Sequence, residues 1–293
     1  MTSLLTSVII VNYNCGMLLT ECVHSVLSST VPVEVFVSDN GSTDGSIEHL
    51  KHEISDDRLH VILNRENLGF AKASNIPLQK ITSDYTLFLN PDCVIQPDII
   101  EVMEKKMEER PDVGMSGCLI LNQDGSEQAG CRRRVPTPWR TLVRILHLDK
   151  VFPNHPRFQN IALSKDPLPD TDIELEAISG AFMLVNRKAM EDVGLLDEDY
   201  FLHCEDLDWC MRFRQKGWKI LFTPDVEITH LKGGCSSGRP VFVEWHKHKG
   251  MVHFYHKFFR HQYPSVLMWV VIAAVWVRFL LLSVILTFRR LIG

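Results

Sequence analysis

The chain has 293 residues, with 36 acidic against 31 basic side chains and a formal net charge of −5, a balance that excludes bulk electrostatic attraction to nucleic acid. Its length suits one large α/β domain with an appendage, and 45% hydrophobic residues can fill a sizeable core. The eight cysteines are scattered without a C-x-x-C pair, which excludes a small disulfide scaffold and points to reduced cytosolic thiols.

Met1–Ser7 is too short, and too poor in charge, for a secretory leader. From there the pattern alternates. SVIIVNYN reads as a strand, GMLLTECVHSVLSS as a helix with apolar residues at helical spacing, and VEVFVSD as a strand. GSTDGSIEHLKHEI follows as a polar helix capped at Ser42 or Thr43, then the strand RLHVILN, the helix AKASNIPLQKI and the strand YTLFLNPD. Such alternation predicts parallel strands joined by crossover helices. The near-continuous apolar cores of the first strands predict a sheet covered on both faces. Ligands on such sheets gather at the carboxyl ends of the strands. Those ends carry Asn12 and Tyr13, Asp39 and Asn40, Asn64, and Asn90 with Asp92. Any one of these is explained by turn chemistry alone, but the succession along one edge points to a polar site.

Beyond Pro97 a helix resumes, and residues 130–158 (GCRRRVPTPWRTLVRILHLDKVFPNHPRF) form an Arg-, Pro- and aromatic-rich stretch. It reads as a mobile substrate loop, a basic face near anionic lipid, or a solvated surface loop. AISGAFMLVNRKAMEDVG gives a buried strand and a short helix, and WKILFTPDVEITH a further strand pair ending at His230. Between them, FLHCEDLDWCMRFRQKGW sets Glu205, Asp206 and Asp208 ahead of Arg212 and Arg214. Acids at a helix start and bases at its end complement the helix dipole. The aromatic approach through Tyr200 to His203 would equally place the acids where a buried element opens into a cleft.

From Val266 to Phe288 the chain is apolar except for Arg278 and small hydroxyls, long enough to span a bilayer at roughly 20 residues. Arg278 costs about 2.5 to 3.5 kcal/mol at mid-span, against gains of about 0.3 to 0.6 for each Leu, Ile, Val or Phe. Lys247, Lys249, Lys257 and Arg260 precede the run, and Arg289 and Arg290 follow it. A span would therefore hold the main domain in the cytoplasm. A helix lying in the interface, a re-entrant hairpin and a helix buried against a partner subunit remain open. The division expected is 1–240 for the catalytic domain and 241–293 for a membrane-associating segment.

Taken in order, VIIVNYN, VSDNGSTDGS, NLGFAKASN, LFLNPD, ISGAFMLV, EDLDWCMR and THLKGG resemble glycosyltransferase family 2, inverting enzymes of GT-A fold, and within it the rhamnosyltransferases of bacterial surface polysaccharide synthesis. The resemblance covers about Ser7 to Ser237. It implies a mixed, mainly parallel α/β sheet flanked by helices, and an enzyme at the cytoplasmic face of the inner membrane. That enzyme would move a sugar, with dTDP-rhamnose preferred, from a nucleotide-sugar donor to a glycan or polyprenyl-diphosphate-linked acceptor. By the same resemblance Asn12, Tyr13, Asp39, Asn40, Asn67, Gly69, Asn75 and Asn90 serve the nucleotide sugar. Asp92 and His230 hold Mg²⁺ or Mn²⁺, Asp206 is the base, and Glu205 orients it or binds an acceptor hydroxyl. Asp208 is left to the helix end, and a structural role for His230 stays open. Asn90 departs from the family pattern by replacing the first acid of its DxD metal motif, and Pro77 stands where a Gly is usual. The Arg132–Arg134 run offers cations for an acceptor diphosphate. Rival readings are a non-catalytic nucleotide-sugar-binding subunit and a nucleotidyltransferase. The second would need a Gly- and Arg-rich phosphate loop where NYNCGM stands.

Overall fold

The computed structural model describes residues 5–152, 155–158, 160–231 and 239–292. Gly233 and Gly234 of the THLKGG motif lie outside the described residues. The first half runs β1 (Thr6–Asn12), α1 (Leu18–Leu27), β2 (Val33–Asp39), α2 (Ser46–Glu53), β3 (Leu59–Leu63), α3 (Phe70–Leu78), β4 (Tyr85–Leu89), β5 (Cys93–Val94), α4 (Ile99–Glu108) and β6 (Val113–Leu121). Next come β7 (Arg132–Arg133), α5 (Pro138–Ile145), α6 (Leu148–Val151), β8 (Ile173–Glu174), β9 (Ala177–Ile178), β10 (Phe182–Asn186) and α7 (Arg187–Val193). The chain then closes with α8 (Glu205–Gln215), β11 (Lys219–His230), α9 (Pro240–Phe259) and α10 (Ser265–Ile292).

The main sheet has the order β3-β2-β1-β4-β10-β6-β11-β5, with β8 added on β11. β1 pairs in parallel with β2 and β4, and β6 in parallel with β11, while β10 runs antiparallel between β4 and β6. The carboxyl ends of β1, β2, β4, β6 and β11 therefore share one edge. Successive residues of a strand face opposite sides, and the core divides accordingly. Val8 and Ile10 pack with α1, α2 and α4 in one cluster, whereas Ile9 joins Phe88, Met183, Trp209 and Phe254 in the other. Burial on both faces explains the unbroken apolar run of β1. Six cysteines, among them Cys22, Cys93 and Cys204, are free buried thiols.

Several local expectations are corrected. α2 starts at Ser46 after Gly45 in the left-handed region, and Asp44 accepts the Ser46 amide at 3.1 Å. Ser42 is taken up by the turn, where its Oγ accepts from the Asn14 amide at 2.9 Å. The stretch read as a strand pair before His230 is one strand, whose register against β6 slips between Thr223 and Glu227. Pro224 has no N–H for the ladder, so the strand bulges there instead of turning back.

The Arg132–Arg134 run is not a free basic face. Arg132 is bidentate to Glu127 at 2.9 and 2.7 Å, Arg133 bonds Asp206 and the Ile178 carbonyl, and Arg134 donates to the Asn160 carbonyl at 2.9 Å. Thr137 caps α5 by accepting the Arg140 amide, with Pro138 in the first turn.

The segment after residue 240 packs against the rest of the chain. Phe254, Tyr255, Phe258 and Phe259 of α9 are buried in the second cluster. Thr141 of α5 meets the Tyr255 hydroxyl at 2.6 Å. Gly250 lies so close to the turn before α8 that a Cβ there would sit 2.9 Å from the His203 carbonyl oxygen. α10 buries Met268, Val271 and Val275, while Val266, Trp269, Val270, Val277, Leu280, Leu281 and Phe288 stay exposed. Its Arg278 is 2.8 Å from His248 Nε2 of α9, which gives the cation in the middle of this apolar helix a polar neighbour.

Candidate active site

The register that pairs Asn12 with Asp39 sets these two side chains together at the edge. Asp39 accepts from Asn12 Nδ2 at 2.7 Å and from the Gly41 and Ser42 amides at 3.2 and 3.1 Å. Among the described residues the buried Asn12 Oδ1 has no hydrogen-bond partner, and Tyr13 follows half-buried. Next to this pair, Asn40 donates to the Gly69 carbonyl at 3.1 Å and to Asn67 Oδ1 at 3.3 Å, and accepts from Asn64 at 3.1 Å. Gly69 has φ +81°, and a Cβ there would lie 2.4 Å from the Phe201 carbonyl oxygen. That conformation and that approach both require glycine. Asn75 sits deeper, and its amide is committed to the Leu196 carbonyl at 2.9 Å and Glu198 at 3.0 Å. It ties α3 to the approach to α8.

Beyond the end of β4, Asp92 and His230 meet at 3.0 Å, Oδ1 to Nε2. Gln128 Oε1 lies 2.7 Å from His230 Nδ1, while its Nε2 donates to Asn122 at 3.1 Å. The Gln128 oxygen thus takes the Nδ1 proton and leaves Nε2 with a lone pair. Asn90 Nδ2 is 3.3 Å from that nitrogen. Nε2 and the Asp92 carboxylate then face each other as two acceptors, an arrangement relieved by a cation or a ring proton. Cys93 completes a group of three possible ligand atoms, but burial drives its thiol pKa up and keeps it protonated. Carboxylate oxygen and imidazole nitrogen together fit a divalent ion of the Mn²⁺ class, while Mg²⁺ prefers an all-oxygen shell.

The third part comes from α8. His203 and Cys204 have φ of +66° and +73°, a left-handed pair that is uncommon outside glycine. It turns the chain so that Glu205 and Asp206 open the helix while buried. Asp206 accepts from the Gly180 amide at 3.1 Å and the Leu207 amide at 2.8 Å, and pairs with Arg133. Burial by itself would raise its carboxyl, but the Arg133 guanidinium and these hydrogen bonds hold it below the usual range. Burial, then the neighbouring Asp206 charge, pushes Glu205 the other way, and among the described residues its Oε2 has no hydrogen-bond partner. Asp208 is fully buried between Arg212 and Lys257, each at 2.6 Å. It clamps α9 against α8, a larger task than finishing a helix end.

These parts adjoin. Asn90 donates its amide to the Ala181 carbonyl at 3.0 Å, and the preceding residue, Gly180, donates to Asp206. A Cβ on Gly180 would lie 3.2 Å from that of Asp206. Asp206 is thus two residues' contact away from the strand end that carries Asn90 and Asp92. Sequence reasoning missed Gln128, which bears no motif, and saw Arg133 only as one of three similar cations.

Residues 7–194 match the family model for glycosyl transferase family 2. An N-acetylglucosaminyl-diphospho-decaprenol L-rhamnosyltransferase of Mycobacterium tuberculosis is 28% identical over 246 residues, covering 80% of this chain and 78% of that protein. Rhamnosyltransferase WbbL of Escherichia coli (strain K12) is 24% identical over 173 residues, 55% of this chain and 60% of its own. Among solved structures, GalNAc-T7 with UDP, GalNAc and Mn²⁺ superimposes with a TM-score of 0.61 at 20% identity over 87% of this chain, which spans 48% of that one. Mannosyltransferase PcManGT from Pyrobaculum calidifontis, with GDP-Man and Mn²⁺, gives 0.59 at 18% identity over 92% of this chain and 68% of its own. The two superpositions speak to fold, and the family match rests on sequence over more than half of the chain. The protein therefore belongs to glycosyltransferase family 2, as a rhamnosyltransferase-like enzyme of GT-A-like fold.

Proposed function

We propose that the enzyme transfers a sugar, with dTDP-rhamnose as the preferred donor, to a polyprenyl-diphosphate-linked or other glycan acceptor, with inversion at the anomeric carbon. The observation that carries this reading is the buried Asp206 carboxylate, fixed by Arg133 and Gly180 beside the strand end that bears Asn90 and Asp92. Asn12, Tyr13, Asp39, Asn40, Asn67 and Gly69 would form the nucleoside wall. Asn75 would act from behind by holding α3. Asp92 and His230 would hold the divalent ion, with Asn90 beside them. When bound, that ion offsets the negative charge that develops on a departing nucleoside diphosphate.

The chain's own residues handle the proton. Asp206 takes it from the acceptor hydroxyl as that oxygen bonds to the anomeric carbon and the bond from that carbon to the diphosphate oxygen breaks. Arg133 and the Gly180 amide keep the carboxylate ionised and aimed. A second assignment within the same reaction has its own support: the unpartnered Glu205 Oε2, on a carboxyl whose pKa is raised, suits Glu205 either as base or as donor of a hydrogen bond to the acceptor. The exposed apolar face of α10 and the lipid-linked substrate in the name of the mycobacterial relative support work at a membrane. The cytoplasmic face of the inner membrane is the surface this proposal assigns.

Thermal unfolding with a panel of dTDP, UDP and GDP sugars, with and without Mn²⁺, tests the donor half, because ligand binding raises the midpoint in proportion to ln(1 + [L]/Kd). Metal-dependent stabilisation by dTDP-rhamnose, followed by transfer, is expected. Stabilisation by no nucleotide sugar would end the reading.

A further inference from the structure

A second concavity lies away from the strand-end edge. We propose that the cavity of about 550 Å³ framed by Arg140, Arg157, Arg214, Glu176, Trp139 and Tyr263 binds the phosphate of a lipid. Three arginines and one glutamate line it. Arg140 already engages Glu176 at 2.6 and 2.9 Å and donates to the Val135 carbonyl at 3.0 Å, so it forms part of the wall. Arg214 lies 3.8 Å from Met211 Sδ and is exposed. Arg157 is bonded through its backbone, its carbonyl accepting from Trp139 Nε1 at 3.0 Å and its amide donating to His155 Nδ1 at 3.2 Å. Among the described residues neither of these two guanidinium groups has a carboxylate within ion-pair distance. Arg214 acts on Glu176 only through its charge, helping to hold that carboxyl low, so both guanidinium groups keep donors for forked hydrogen bonds with phosphate oxygens.

The position of the cavity indicates that the phosphate is attached to an apolar chain. Tyr263 belongs to the turn between α9 and α10, and the exposed apolar face of α10 begins three residues later at Val266 and continues through Trp269 and Val270. Trp139 and Tyr263 combine apolar rings with polar tips, the chemistry favoured at a bilayer surface. A headgroup in the cavity would thus have its hydrocarbon beside α10. Such a phosphate comes either from a bilayer phospholipid or from an isoprenoid diphosphate such as an acceptor lipid. α8 runs from Asp206 to Arg214, about 12 Å along its axis at about 1.5 Å per residue, so one helix serves both the candidate base and the cavity. The lipid half of this inference rests on the proposed membrane role of α10, and none of it depends on the nucleotide-sugar reading.

The test uses the full chain in detergent. The probes are farnesyl diphosphate, inorganic diphosphate, and phosphatidylcholine vesicles with and without phosphatidylglycerol. The variants are the double substitution Arg157→Ala with Arg214→Ala and its Lys counterpart. Tighter binding to the phosphatidylglycerol vesicles assigns the headgroup of a bilayer lipid, and preferential binding of farnesyl diphosphate assigns an isoprenoid diphosphate. Either preference should weaken on the order of tenfold per arginine removed, with partial recovery in the Lys variant. The double Ala variant should still bind dTDP with Mn²⁺, so loss of the donor reading and loss of the cavity reading give separate signals. Equal binding of every probe by wild type and double Ala variant overturns the site. Inorganic diphosphate binding as tightly as farnesyl diphosphate, with no preference between the vesicles, overturns its lipid character.

Discussion

Replacing Asp206 by Asn changes one proton-accepting oxygen into an amide while keeping the size of the side chain. The remaining carbonyl oxygen can still accept from the Gly180 or Leu207 amide, now 3.1 and 2.8 Å away, so the start of α8 should hold. General-base catalysis is typically worth about 100- to 10,000-fold, and kcat should fall by that factor. Stability should fall as well. Breaking a fully buried ion pair costs about 3 to 5 kcal/mol. Arg133 keeps the Ile178 carbonyl, and the pair's side chains are 18% and 12% exposed, so about 1 to 3 kcal/mol is expected here. The assay is sugar transfer at saturating donor, with donor-induced thermal stabilisation measured in parallel to show an intact nucleotide site. The pH profile then separates the two acids. A base must be deprotonated, so Asp206, held below the usual carboxylate range, predicts a rate that is flat from about pH 5.5 to 8. Glu205, pushed up by burial and by the neighbouring Asp206 charge, predicts a rate that climbs across that interval. Full transfer by the Asp206→Asn enzyme, or a climbing profile abolished by Glu205→Gln, would refute the assignment of the base to Asp206.

Other outcomes follow from the same contacts. Asp208→Asn leaves Arg212 and Lys257 without their shared buried carboxylate. It should lower stability by about 2 to 3 kcal/mol in denaturant titration while the rate per folded molecule stays near wild type. Gly69→Ala forces a side chain into a φ of +81° and onto the Phe201 carbonyl. The backbone conformation costs about 1 to 3 kcal/mol, and a raised KM for donor should accompany the displaced loop. Burial lifts the Glu104 carboxyl from 4.5 to about 7. With the folded value above the unfolded one, its contribution is complete below about pH 4.5, declines as pH rises, and is gone above about 7. Glu104→Gln should remove this decline, which amounts to about 1 to 2 kcal/mol after solvent screening, as read from unfolding midpoints across pH.

Much of the edge was legible because strand periodicity and chain order specify it. β1, β2 and β4 carry apolar runs that stop at Asn12, Asp39 and Asn90, and parallel strands must bring those stops to one side. Asn40, Asn67 and Gly69 also meet as their motif positions imply. What distinguishes Asp206 from Asp208 was not legible, since both are acids in the first turn of one helix. Their environments differ through partners far away in the chain. Arg133 is 73 residues before Asp206, and Lys257 approaches Asp208 from a helix that looked like part of a membrane appendage. The same distance hid Gln128, which lies 102 residues before the histidine it orients.

The sequence by itself determined the doubly covered sheet and the polar edge, because hydrophobic period and local turn chemistry depend on near neighbours in the chain, while the family came from the resemblance of its ordered motifs. Tertiary structure alone decided which carboxyl is held low, which is pushed up and which is a clamp, and it absorbed the Arg132–Arg134 run into ion pairs and carbonyl contacts. Charge inside a protein is governed by burial and by the partner across the gap, and neither is a property of a short stretch of residues.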